Sequence, residues 1–119
     1  MPTFTGRRGR RYAQLGLALQ TEIENVLGPR GILLYPPYSH TAPRHGRPLL
    51  TPLHFVYTAI FNVLELPATA VPLGLNEDGR PLGVQIVSAR RQDALTIAAA
   101  LELERAFGGW VPPPMLCEL

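Results

Sequence analysis

Lysine is absent: all 11 basic residues of the 119-residue chain are arginine. A guanidinium keeps its proton at any physiological pH, so the chain holds no side-chain amine able to take up a proton in catalysis. Cysteine is nearly absent too. The single Cys117 excludes an internal disulfide and a cysteine-built metal site, suits a reducing, cytoplasmic setting, and has no neighbouring base to make it reactive. Serine occurs only at Ser39 and Ser88, unpaired and outside any glycine-rich stretch. No apolar run reaches membrane-spanning length, and the basic N-terminus has no apolar stretch behind it of the kind a secretory signal needs.

What is present reads as one globular domain. Hydrophobic residues make up 46% and charged residues 17%, enough apolar surface to offset the entropy of ordering. The net charge of +2 comes from Arg7, Arg8, Arg10 and Arg11, which read as a basic N-terminal arm over residues 1–10 and the start of a helix. The 13 prolines cut the chain into short elements, because each fixes φ and removes a donor.

The pattern predicts an α/β chain in the order helix, strand, helix, strand, strand, helix. Tyr12, Leu15, Leu19, Ile23, Val26 and Leu27 recur at helical spacing over residues 11–27, stopped by Gly28-Pro29. Residues 31–35 (Gly-Ile-Leu-Leu-Tyr) read as a strand buried on both faces, and the proline-rich stretch 36–52 as a loop. Helical spacing returns over 53–64 until Pro67. Ala68–Leu75 and Leu82–Ser88 read as buried strands of a hairpin turned by Asn76-Glu77-Asp78-Gly79. Asp93 is placed to cap a last helix, with Leu95, Ala99, Leu103 and Phe107 on one face and Ile97 and Leu101 on another, closing at Gly108-Gly109. Three apolar strands want neighbours on both edges and layers on both faces, and a chain of this size supplies few of either.

The segment Phe55–Val87, FVYTAIFNVLELPATAVPLGLNEDGRPLGVQIV, resembles amidase-signature hydrolases. The likeness extends through Gly31-Ile-Leu-Leu-Tyr-Pro-Pro37, Thr41-Ala-Pro-Arg-His45 and Phe107-Gly-Gly-Trp-Val111, which resemble the type-two fatty-acid amide hydrolase branch. Leu66-Pro67-Ala68 and Leu82-Gly83-Val84-Gln85 are shared with the aminoacyl-tRNA amidotransferase pattern. The resemblance implies a mixed-sheet fold of which residues 11–119 form the C-terminal portion, and amide hydrolysis by a Lys-Ser-Ser triad. No catalytic residue carries over, because no lysine exists and neither serine matches the motif. The expectation is a C-terminal amidase segment inactive alone, with no cofactor. The resemblance further implies that Tyr57, Thr58, Phe61 and Thr69 face the acyl side of a substrate cavity.

Partners follow from the same reasoning: an upstream amidase polypeptide completed by β-augmentation, or self-association through free strand edges. A non-catalytic interaction module is the rival reading. Nonspecific nucleic-acid binding through the Arg-rich arm is a third, resting on charge alone; no specific nucleic-acid signature is present. His40, His45 and His54 lack a metal-ligand spacing and read as exposed loop residues. Glu102 and Arg105 read as a surface pair one helical turn apart.

Overall fold

The computed structural model describes residues 6–112; Cys117 lies outside them. Helix α1 spans Arg7–Leu27, starting at Arg7 rather than Arg11 and carrying the arginine cluster on its first turns. No proline interrupts this run, and Arg, Gln, Leu and Ala are good helix formers. It ends where Gly28 takes a positive φ of 61° and returns its N–H to the Glu24 carbonyl. The face that packs is only part of the expected stripe, with Ile23 against the core and Leu27 half-buried. Tyr12, Leu15 and Val26 are exposed, and the buried residue is Gln20, whose side-chain amide donates to the Leu64 carbonyl. The carbonyls at a helix end need partners, and a glutamine supplies one where a leucine cannot.

Strands β1 (Ile32–Tyr35), β2 (Ala68–Leu75) and β3 (Pro81–Ser88) form an antiparallel sheet in the order β1-β3-β2. The β2–β3 hairpin turns as its residues dictate. The Asn76 Oδ1 accepts from the N–H groups of Asp78 and Arg80 at 3.0 and 2.8 Å, and Gly79 takes the left-handed φ of 73° that side chains disfavour. A register shift between Pro72 and Leu75 places one extra residue on β2, with Gly74 at φ 88° inside the bulge.

The proline-rich stretch is not wholly irregular. It folds into two 3₁₀ turns, Arg47–Leu50 and Pro52–Phe55, each with a proline in its first positions, where a missing N–H costs nothing. Helix α2 follows as Val56–Val63, shorter than expected at both ends. It closes three residues before Pro67 is reached: the Leu66 N–H bonds the Phe61 carbonyl at 3.0 Å, with Glu65 held at φ 53°. This is a Schellman closure made on a non-glycine residue. Helix α3 spans Asp93–Phe107. Asp93 is its first residue and not its cap; Gln92 occupies that place without a side-chain bond, and Gly108 closes the far end at φ 83°.

Residues paired across the ladder share a face, so the register defines two layers. On one face Leu33, Tyr35 and Val87 meet Phe61, Leu64, Leu66, Ile60 and Ile23 in the hydrophobic core. On the other, α3 packs over β2 and β3, with Thr96 buried against the sheet. The expectation of buried strands fails for β1, for most of β2, where only Val71 is buried, and for the first half of β3. Ile32 and Leu34 point to the α3 side but lie beyond the helix, 40% and 52% exposed. The total accessible surface is 9775 Å², against about 6,400 Å² for a compact monomer of this mass. The radius of gyration of 17.6 Å likewise exceeds the roughly 13.5 Å of a compact domain of this length. No helix among the described residues is long and apolar enough to cross a membrane.

One ion pair ties α1 to the turn between β3 and α3. Glu24 accepts from Arg90 Nε at 2.9 Å and Nη2 at 3.2 Å, and from the Arg90 backbone N–H at 3.1 Å. The side-chain bond from Arg90 first, then its backbone bond, hold the Glu24 carboxyl below its ordinary value. A carboxylate whose folded pKa is lowered contributes stability above its unfolded pKa and loses it as pH falls through the folded one. Glu24→Gln is therefore expected to lower the denaturation midpoint at neutral pH. The gap from the parent chain should close as the solution is acidified through the glutamate range, and a gap independent of pH would contradict the assignment. The pair is solvent-accessible, so the effect is small.

Candidate functional site

The four residues expected around a substrate cavity lie on or beside α2 and β2. Phe61 is 3% exposed in the core, its ring 5.2 Å from Tyr35 in an edge-on contact. Tyr57 is half-buried, 5.8 Å from the same tyrosine ring. Thr58 is exposed and its hydroxyl donates to the Phe55 carbonyl at 3.1 Å. The Thr69 hydroxyl donates to Thr96 Oγ1 at 2.8 Å, and Thr96 donates its own proton to the Asp93 carbonyl at 2.8 Å. Thr69 pairs with Ile86 and so lies on the α3 face, whereas Phe61 packs on Val87 of the opposite face. Within this chain the sheet separates them, and none of the four lines any of the three main concavities among the described residues.

Gln85 organises this region; the Leu-Gly-Val-Gln motif contains it, but the motif alone gave it no role. Buried in β3, it donates both amide protons, to the Pro36 carbonyl at 3.1 Å and the Tyr57 carbonyl at 2.8 Å. A buried side-chain amide has to satisfy its donors, and here they fasten the loop after β1 to the first turn of α2. The two serines are elsewhere and apart. Ser88, fully buried at the end of β3, directs its hydroxyl at the Ala89 and Gln92 carbonyls. Ser39 sits exposed in the loop after β1, 2.6 Å from His40 Nδ1 and 3.2 Å from His54 Nδ1.

Beside Ser39, the flanking residues Tyr38, His40, Thr41 and His54 line a concavity of about 410 Å³. The His40 and His54 rings stack with centroids 5.3 Å apart, and Tyr38 meets His54 edge-on at 5.3 Å. Arg44 and Arg47 line the same space, as does Arg80 from the hairpin, which reaches across to donate to Thr41 Oγ1 at 3.3 Å. The histidines at 40 and 54 are thus not independent loop residues. Among the described residues no group of three or more His, Cys, Asp or Glu gathers to hold a metal ion.

The sheet, the α2 closure and the Leu-Pro-Ala turn into β2 all fall within the segment that a sequence profile of the Amidase family matches, residues 10–97. The chain belongs to the amidase family. Amidases similar to it include fatty-acid amide hydrolase 2-A of Danio rerio, 54% identical over 96 residues, which are 81% of this chain and 18% of that protein. Fatty-acid amide hydrolase 2 of Homo sapiens is 42% identical over 110 residues, 92% of this chain and 21% of the relative. A glutamyl-tRNA(Gln) amidotransferase polypeptide of Wolinella succinogenes is 30% identical over 93 residues, 76% and 21% respectively. The chain thus spans between 18% and 21% of the length of these amidase relatives.

Proposed function

We propose that this chain is the C-terminal scaffold of an amide C–N hydrolase of the fatty-acid amide hydrolase type. In this reading its three strands are one part of a larger mixed sheet. The observation that carries the proposal is the pairing of family membership with a chain that has no lysine. Relay of a proton from a serine nucleophile through a second serine to an amine requires each group within hydrogen-bond reach of the next. Ser39 and Ser88 occupy a surface loop and a buried strand end, with no amine beside either. The chemistry therefore falls to residues outside these 119, and this chain contributes the framework around the acyl group.

The unpartnered apolar surfaces support the same reading. Ile32 and Leu34 on the β1 edge and Ile97 and Leu101 on α3 stand exposed, as they would where further strands and helices of a larger sheet are to pack. In that setting Thr58 meets the cavity directly from the exposed side of α2. Tyr57 and Phe61 support it from beneath, and Thr69 fixes β2 against α3. The rival reading, self-association without catalysis, draws on the same free edges. The purified 119-residue chain is expected to release no free acid from a long-chain fatty-acid amide above the buffer rate. Measurable turnover that copurifies with the chain would overturn the assignment.

A further inference from the structure

We propose that the concavity bounded by Arg44, Arg47, Arg80, His40 and His54 is a binding site for a phosphate-bearing small molecule. Three guanidinium groups from two separate segments, the loop that carries Arg44 and Arg47 and the hairpin that carries Arg80, line one space of about 410 Å³, and no aspartate or glutamate lines it with them. The carboxylate ion pairs found among the described residues are Glu24 with Arg90 and Glu102 with Arg105, so these three arginines have no counter-charge there. Like charges held together without compensation repel, and an anion between them removes that penalty.

The donor set suits a phosphate in particular. Guanidinium forks match phosphate oxygens two at a time, and Thr41, whose hydroxyl oxygen already accepts from Arg80, keeps its own proton to donate along the same wall. Proton counting at Ser39 adds to this. Its one hydroxyl proton serves only one of the two imidazole Nδ1 atoms it approaches, so the other imidazole must itself donate to the serine oxygen. That fixes one ring with a proton on Nδ1, while the ring that accepts at Nδ1 carries its own proton on Nε2. The same Ser–His contacts are poor material for a nucleophile, since no carboxylate hydrogen-bonds either ring to orient it. The space falls within the roughly 300–1,000 Å³ of small-molecule sites, leaving room beyond a phosphate group for the molecule that bears it.

The test is an NMR titration of the 119-residue chain with inorganic phosphate, phenyl phosphate and acetate in parallel. Ionic strength is held constant with chloride, so that simple screening is the same throughout. Saturable binding of phosphate or phenyl phosphate is expected, at least about tenfold tighter than acetate. Tighter binding of phenyl phosphate assigns the natural ligand to phosphomonoesters, and tighter binding of inorganic phosphate assigns it to the free ion; both keep the site. Arg80→Gln and Arg44→Gln, on different segments, should each weaken binding about tenfold or more, while Arg105→Gln, removing the same charge from α3, leaves it within about twofold. Absence of saturation with both phosphates, or an equal loss in Arg105→Gln, refutes the site. None of these readouts involves amide hydrolysis, so the outcome is independent of the proposed function.

Discussion

Phe61→Ala is expected to remove about 3–5 kcal/mol of stability, the usual cost of emptying a buried aromatic site, and with it the cooperative unfolding transition of the chain. The buried hydrophobic residues among those described are few: Phe61, Leu64, Leu66, Val71, Ile86 and Val87. Phe61 stands where α2 meets the sheet, in contact with Tyr35 of β1 and in one cluster with Leu64, Leu66 and Val87. Its loss opens a cavity that α2 can fill only by moving, and α2 is held in place by the Schellman closure at Leu66 and by Gln85 at Tyr57. Thr58→Ala, three residues away on the exposed side, should stay within about 0.5 kcal/mol of the parent. Urea denaturation followed by circular dichroism gives both values. Equal effects at the two positions would mean that Phe61 is not part of the core.

Gly31→Ala is expected to be the next most damaging change, for a different reason. A Cβ at Gly31 would collide with the backbone of Leu27, whose carbonyl oxygen, carbonyl carbon and Cα are its nearest neighbours. No flexible side chain can give way. The turn Gly28-Pro29-Arg30-Gly31 is pinned between the cap of α1 and the first residue of β1, so relief requires shifting one of them. Overpacking typically costs about 1–3 kcal/mol, and a backbone collision belongs at the upper end. Gly16→Ala is the matched control: nothing lies near its Cβ position, and alanine in a helix interior should add about 0.5–1 kcal/mol. Opposite signs for two glycine-to-alanine changes, read from thermal midpoints, would establish the packing at Gly31; a neutral Gly31→Ala would dismiss it.

Local chemistry made part of the fold legible. The hairpin could be read from Asn76 and Gly79 because a side-chain oxygen and a left-handed φ act within a few residues. The end of α1 at Gly28 and of α3 at Gly108 were readable for the same reason. Pairing at long range was not. Nothing in residues 32–35 says that they pair with β3, or that α3 stops short of Ile32 and Leu34. Periodicity found only part of the packed face of α1: Ile23 reaches the core, but Gln20 is buried by a hydrogen bond to Leu64 and hydropathy ranks it among exposed residues. Family membership was legible because the motif residues between Phe55 and Val87 are contiguous. The cationic concavity was not: Arg80 joins Arg44 and Arg47 only after the hairpin has folded, and His40 and His54 gain meaning through Ser39, which bonds to both. Tyr57, Thr58, Phe61 and Thr69 could be named from the resemblance, but helix and strand phase alone did not show that a sheet lies between Phe61 and Thr69.

The most direct measurement is the rate of fatty-acid amide hydrolysis by a chimera. In it, residues of this chain replace the matching segment of the Danio rerio relative that shares 54% identity, while the rest of that protein is kept. The expected result is a folded chimera that hydrolyses the amide at a rate comparable to the parent enzyme. A folded chimera without turnover would contradict the scaffold role.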